Sequence, residues 1–271
     1  MSKRRAPVQL TPTDIKKPCR PSFGCYRKCA AGLTSPPLSA NQLCALTDTA
    51  RWTLNHPHFE QGERSWLHAR TFALTASTVA VALHVGMVHF FRRRAAGERA
   101  PECYEYAELE LDTKSGFAPP FEGNAATAHG TLHEPTALAS FVEQNRCNVM
   151  HVGLLIHRQH RWLGASPDAV CFDGSLVEIK VPKSRSFKVG DPVPAHYWTQ
   201  CQIQMAVCDA DHCHYYEYRV PSTSKRARIK EPRINQQLIK RDRQWFDAAL
   251  PLLQAFAEAM YRMKALHRIY Q

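Results

Sequence analysis

Apolar positions change period along the chain, and the change divides it. In residues 39–55, Leu43, Leu46, Ala50 and Leu54 recur at helical spacing behind a serine cap, which predicts an amphipathic helix. A short second helix is expected over residues 63–70. A third is expected from about Thr75, where Thr75, Ala76 and Ser77 offer capping hydroxyls, into an apolar stretch ending near His89. Residues 92–123, opened by Arg92, Arg93 and Arg94 and broken by Gly and Pro, predict connections with room for one helix. Helical spacing returns over 124–147, with Leu138, Phe141 and Val142 on one side.

The period then shortens to that of strands. One strand is expected over 149–157. Segments 162–172 and 175–182 predict a hairpin turning at Asp173-Gly174, a strong turn dipeptide. Residues 183–194, rich in Lys, Ser and Pro, are a loop, and Ala195–Cys208 is a buried helix candidate. Residues 212–220 alternate aromatics like a strand, with 226–234 as the candidate partner. A long helix over 235–267 closes the chain, kinked or interrupted by Pro251. Helices, then a sheet, then helices predict an α/β or α+β domain, and no internal repeat is visible.

Composition adds bounds. The 271 residues suit one domain with a tail: residues 1–40 are a basic, Cys- and Pro-rich irregular tail closed by Pro36-Pro37, and 41–271 form the domain. With 35 Lys+Arg against 24 Asp+Glu the net charge is +11, which favours a polyanionic partner without requiring one. The ten cysteines are scattered, and the basic Met1–Arg5 start has no apolar stretch behind it, so neither a secreted disulfide scaffold nor a signal peptide is expected. No run of about 18 apolar residues occurs, so no membrane association is expected and an intracellular, reducing setting is.

The chemistry lies in Ser166-Pro167-Asp168, then nine residues, then Glu178-Ile179-Lys180. On a strand, residues two apart share a face, so Glu178 and Lys180 project together while Val177, Ile179 and Val181 face a core. The hairpin folds Asp168 back toward Glu178. Two carboxylates with a backbone carbonyl make a hard-oxygen site suited to Mg²⁺ or Mn²⁺. Such an ion lowers the pKa of a bound water, and Lys180 is placed to orient or deprotonate that water and hold a phosphate. A lone Glu-x-Lys would be an ordinary surface pair. The Pro-Asp one hairpin earlier is what raises it above that.

This segment resembles the lambda exonuclease family, the YqaJ-type viral recombinases within the PD-(D/E)xK nucleases. Further motifs carry the resemblance in the same order. Trp66-Leu67-His68-Ala69-Arg70 with Leu74-Thr75-Ala76-Ser77 is similar to the family's opening motif. His129-Gly130 with Glu134-Pro135 and Ala137 is similar to its second. Tyr197-Trp198-Thr199-Gln200, with Gln202 and Met205, is similar to the helix whose glutamine faces the site. The resemblance spans about residues 60–260. It implies a restriction-endonuclease-like α/β core, a central mixed sheet flanked by helices. It implies that Glu134, Asp168, Glu178 and the Ile179 carbonyl bind two Mg²⁺ (or Mn²⁺) ions, that Lys180 serves the water, and that Gln200 hydrogen-bonds within the site. Arg70 and Ser77, with Ser166, would hold a terminal 5′-phosphate. The implied activity is exonucleolytic hydrolysis of linear double-stranded DNA from 5′ ends, in recombination or in viral or mobile-element DNA processing. A single-strand annealing protein is the implied partner, and a ring-shaped homotrimer the implied assembly. The location would be the nucleus if the source is a eukaryote or its virus.

Two roles have separate physical readings. Glu134 shares a helical face with Leu138 and Phe141, where a carboxylate is unfavourable unless paired or metal-bound. Alternatively, because Pro135 suits only a helix's first turn, Glu134 is the residue entering that helix. Arg70 is either a phosphate fork or a solvated helix charge. Ala169 stands where the family often has Gly, and residues 1–40 and 92–123 match none of its motifs. Zinc could be read into Cys19, Cys25 and Cys29, or into His212, Cys213 and His214, but the first lacks CxxC spacing and alternation splits the second. The tail cations Lys3, Arg4, Arg5, Lys16 and Lys17 could bind DNA or direct import. Tyr215, Tyr216 and Tyr218 could stack bases but fit a core strand better. The rival functions are an endonuclease on the same core, a non-catalytic DNA-binding remnant and a zinc-dependent interaction module.

Overall fold

The computed structural model describes residues 42, 44–56, 59–60, 63–81, 83, 111–117, 119, 123–221 and 231–270. The expectations for the tail, for the stretch toward His89 and for most of 92–123 lie outside them. In chain order the elements are α1 (Asp48–Asn55), α2 (Arg64–Phe72), β1 (Leu74–Thr75), α3 (Ala76–Val81), α4 (Ala125–Asn145), β2 (Val149–Met150), β3 (Leu155–Ile156), β4 (Leu163–Ala165), β5 (Ala169–Cys171), β6 (Leu176–Lys180), α5 (Ala195–Cys208), β7 (His212–Arg219), β8 (Arg233–Lys240) and α6 (Arg243–Tyr270). A five-stranded mixed sheet runs β2-β5-β6-β7-β8, with β6 parallel to β7 and the other pairs antiparallel. A smaller sheet runs β1-β4-β3, with β1 parallel to β4. Among the described residues no helix is long and apolar enough to cross a membrane.

The central strands of the larger sheet are buried on both faces. Leu176 and Tyr215 belong to a cluster with Leu163, Ile203, Met205 and Phe256. Their strand neighbours Val177, Ile179, Tyr216 and Tyr218 pack with Leu138 and Phe141 of α4. The alternation of β6 and β7 therefore sends each residue to one of two cores. It buries the three tyrosines as core side chains and places Cys213 inside, with His212 and His214 on the other side. His214 packs its ring on Phe141.

Several sequence expectations change. Helix α1 is capped by Thr47, whose hydroxyl accepts the Ala50 N–H, and the expected serine cap at 39 lies outside the described residues. Thr47 breaks the longer periodic stretch because its own N–H donates to the Phe172 carbonyl, tying it to the strands. The strand expected over 149–157 is two short strands in different sheets. They part at Gly153, where a Cβ would stand 1.8 Å from the Phe59 carbonyl oxygen. That approach allows the paired bonds Phe59 N–H to Leu154 O (3.1 Å) and Leu154 N–H to Phe59 O (2.8 Å). Gly153→Ala is expected to cost about 3 kcal/mol, from overpacking against backbone and the loss of these bonds, measurable by denaturant unfolding.

Segment 162–172 likewise splits into β4 and β5 at Ser166-Pro167-Asp168, because Pro167 has no N–H for a ladder. The hairpin itself forms as expected: Gly174, at φ +87°, turns β5 into β6. The partner of β7 is β8, which overlaps the expected 226–234 only at Arg233 and Ile234 and runs on to Lys240, and the closing helix begins at Arg243, not at 235. Eight registered pairs with β7 hold Arg233–Lys240 as strand, so non-local pairing overrides the local helical reading. Asp242 caps the helix through the Trp245 N–H, and α6 runs on through Pro251 without interruption.

Candidate active site

The hairpin and two helices build the site. Asp168 follows the Pro167 break, its N–H bonded to the Val177 carbonyl, so it enters β5 level with the far end of β6. Its Oδ2 accepts the Ile179 N–H at 2.6 Å. Glu178, only 1% exposed, points to the α5 face of the sheet. There its Oε1 accepts from Gln200 Nε2 at 2.7 Å and from the Lys180 ammonium, and its Oε2 accepts from Gln204 Nε2 at 2.6 Å. The two glutamines are four apart on α5 and so descend from one helical face. Lys180 Nζ also lies 4.8 Å from the centre of the Tyr197 ring.

Glu134 arrives from α4. That helix starts at Ala125 under a capping box at Asn124, so Pro135 sits well inside it and Glu134 is not its entry residue. Pro135 only leaves one carbonyl of the preceding turn without a helical partner. Leu138 and Phe141 below it are buried, which sets the face that carries Glu134 to the sheet. Burial pushes the Glu134 carboxyl above its ordinary range, and the Glu178 carboxylate adds to this. Asp168 is pushed well up for the same reasons: burial first, then Glu178 and Glu134. Burial alone would depress the Lys180 ammonium, but Glu178 and Asp168 outweigh that and hold its pKa above the usual lysine range. Lys180 is therefore a cation here, suited to orienting a water or holding a phosphate. To act as a base it would first have to shed a proton that two carboxylates retain.

Glu134, Asp168, Glu178, Lys180 and Gln200 are thus brought together from two helices and a hairpin. Among the described residues no three of His, Cys, Asp and Glu are already gathered as a metal cluster, and the Glu178 oxygens are occupied by Lys180, Gln200 and Gln204. The donor set still fits a hard cation. The Glu178 carboxylate adds to the raised proton affinity of Glu134, and Glu178 and Glu134 add to that of Asp168, and a divalent ion relieves that crowding.

Two contributors escaped sequence reasoning. Gln204 carried a signal, its spacing of one helical turn from Gln200. His151 carried none: it is half-buried beside the Asp168 backbone, with burial depressing its imidazole and a hydrogen bond to that backbone partly offsetting this. Gln202, by contrast, turns away to cap the α6 entry, its amide bonding Lys240 O and Asp242 N–H.

Arg70, Ser77 and Ser166 lie around the smaller sheet. Ser77 and Ser166 each stand two residues past the parallel pair Thr75–Gly164, so both leave the same end of β1 and β4. Ser77 is exposed, with its hydroxyl 3.4 Å from that of Thr75. Arg70, in the last turn of α2, lays its guanidinium 4.5 Å over Trp66, and its carbonyl accepts from Lys114 Nζ.

A hairpin bearing an acid and an acid-x-lysine pair, met by a glutamate from one helix and glutamines from another, defines a PD-(D/E)xK-type α/β core. Residues 65–211, more than half of the chain, match the model of the YqaJ-like viral recombinase domain, and the chain belongs to that family. Among solved structures, the alkaline exonuclease LHK-Exo from Laribacter hongkongensis is similar at TM-score 0.57 and 27% identity, over 77% of this chain and 98% of that one. Its complex with dAMP gives TM-score 0.58 at 26% identity over the same shares. A phage-related exonuclease from Haemophilus somnus, 14% identical, shares the fold at TM-score 0.52 over 73% of this chain and 96% of that one. The restriction-endonuclease-like core, a mixed sheet flanked by helices, is therefore the fold. An uncharacterized protein of Acanthamoeba polyphaga mimivirus is 29% identical over 180 residues, 60% of this chain. The chain spans only 30% of that relative's length.

Proposed function

We propose that the chain is a metal-dependent deoxyribonuclease that hydrolyses linear double-stranded DNA from 5′ ends, in recombination or in viral or mobile-element DNA processing. The observation that carries this reading is the meeting of Asp168, Glu178 and Glu134 with Lys180 at one end of the hairpin. Its similarity to exonucleases, one of them solved with dAMP, supports the substrate class. Glu134, Asp168, Glu178 and the Ile179 carbonyl would hold Mg²⁺ or Mn²⁺, two ions in the full site. When bound, such ions supply a water of lowered pKa and neutralise charge on the phosphate.

The chain's own residues do the rest. Lys180, as an ammonium, holds the water and a phosphate oxygen in line. Gln200 and Gln204 fix the Glu178 carboxylate by filling part of its acceptor capacity, and the Ile179 N–H fixes Asp168. Arg70, Ser77 and Ser166 receive the terminal 5′-phosphate, with Arg70 stacked on Trp66. Double-stranded DNA ends, a single-strand annealing protein, a homotrimer and a nuclear location in a eukaryotic or viral setting belong to the same proposal.

The test uses a 5′-labelled linear duplex beside a covalently closed circle, with Mg²⁺ and with chelator. The linear DNA is expected to lose its label as short products and the circle to survive, with no reaction in chelator. A cut circle would make the chain an endonuclease on this core.

A further inference from the structure

Loop 183–194 leaves β6 directly after Lys180 and is fastened to the neighbouring strands by side chains that grip its backbone. Arg233 Nη1 donates to Phe187 O at 3.0 Å, and Asn235 accepts from Gly190 N–H and donates to Asp191 O, each at 3.0 Å. Gln237 also donates to Asp191 O, and Arg219 to Arg185 O. Phe187, 2% exposed, anchors the middle.

Glu217 differs from all of these, because it grips a side chain. It lies on β7 in register with Lys180, is 1% exposed, and accepts from Arg185 Nη2. A buried carboxylate on a central strand is costly unless paired, and its charge partner is an arginine whose side chain is 40% exposed. The loop backbone is also held by four other residues, Arg233, Asn235, Gln237 and Arg219. What the pair adds is a fixed guanidinium. Arg185 Cζ sits 5.8 Å from the Tyr197 ring centre, on the ring that also carries Lys180 Nζ at 4.8 Å. Of the five N–H donors of Arg185, Glu217 engages one end and the Tyr215 hydroxyl takes a further contact, and the exposed part of the guanidinium is left facing outward as a phosphate contact beside the site.

We propose that Glu217 is a positioning residue that holds Arg185 against Tyr197, next to Lys180, as a contact for a backbone phosphate of the DNA adjoining the scissile one. This rests on the nuclease reading above and adds a determinant of DNA affinity to it.

The experiment measures steady-state degradation of a labelled linear duplex in Mg²⁺ over a series of salt concentrations. It compares wild type with Arg185→Ala, Arg185→Lys, Glu217→Gln and the Arg185→Ala/Glu217→Gln pair. Arg185→Ala is expected to raise KM roughly tenfold and lower kcat far less, and to flatten the dependence of log KM on log salt by about one unit, the signature of one lost phosphate contact. Glu217→Gln is expected to move KM in the same direction, and Arg185→Lys to recover the salt slope. Adding Glu217→Gln to Arg185→Ala is expected to change KM no further, because the glutamate acts through the arginine. A purely structural brace would lower the melting temperature and leave the salt slope alone. If Arg185→Ala is too unstable to assay, the Arg185→Gln/Glu217→Gln pair leaves no charge unpaired and is expected to show the same slope loss. A wild-type salt slope in folded Arg185→Ala, or in that glutamine pair, overturns the proposal while wild-type activity upholds the nuclease reading. A wild type that degrades no DNA overturns both.

Discussion

Lys180→Ala is expected to lower the rate of linear-duplex hydrolysis about 10³-fold, the scale of losing a positioned proton-transfer or charge-stabilising group. The physical basis is the state of the side chain. Lys180 is a cation bonded to Glu178, and in the proposed site it faces the phosphate, so its removal takes away both the positive charge and the donor. Glu178 keeps its bonds from Gln200 and Gln204, so the fold survives and the variant can be assayed. Three carboxylates then lack their lysine, and the variant is expected to melt below wild type in metal-free buffer and to recover on adding Mg²⁺. Lys180→Arg is expected to remain impaired, because a planar fork does not replace a point charge at this depth. Single-turnover rates with excess enzyme and circular dichroism melts make the comparison. Equal rates for wild type and Lys180→Ala would remove Lys180 from the machinery and with it the site as drawn.

Glu134→Gln is expected to separate activity from stability. Activity should fall about 10²- to 10³-fold, because a carboxylate ligand from the helix is lost. Stability in metal-free buffer should rise by about 1 kcal/mol at pH 8, because the position trades stability for function. The sign follows from linkage. Burial first, and Glu178 next, raise the folded-state pKa of this carboxyl above the ordinary 4.5. The folded protein thus binds the proton more tightly than the unfolded chain does, and stability falls as pH rises from 4.5 through the folded value. Glutamine carries no such penalty. The gain should be absent below pH 4.5, grow through the transition and level off above it. Mg²⁺ should stabilise wild type more than the variant. Thermal melts at three pH values with chelator, repeated with Mg²⁺, decide it, and a variant less stable than wild type at pH 8 would show that the crowding of carboxylates costs the fold nothing.

The parts of the fold legible in the chain are those whose signal is local and unopposed. Ala195–Cys208 combines helical spacing with residues buried all round, and the structure returns those bounds. Asp173-Gly174 marks the hairpin because the turn needs the positive φ that Gly174 adopts. Where two local readings compete, the outcome is settled elsewhere in the molecule. Residues 235–240 read locally as the start of the closing helix and become strand because β7 presents an edge. Residues 149–157 look continuous, yet Gly153 admits the Phe59 backbone and divides them between two sheets. Among site residues, Gln200 was found through resemblance, whereas Gln204 was accessible from its spacing alone. His151 and Glu217 had no sequence signal, since nothing local distinguishes a half-buried histidine or a strand glutamate from its solvated counterpart.

By itself the sequence determined the spacing of Asp168, Glu178 and Lys180 across a turn, and so a hairpin carrying two acids and a lysine. Side-chain alternation is a property of the extended backbone, and Val177, Ile179 and Val181 leave the hairpin only one way to face its core. Tertiary structure alone decided that the opposite face is also buried, beneath α5, so that Glu178 is met by two glutamines and not by water. It likewise decided that Glu134 reaches the same point from the interior of α4, and that Glu217 holds Arg185 beside Lys180. Those outcomes depend on which apolar face packs on which, an energy shared among residues far apart in the chain. A pattern read along the sequence has no access to it.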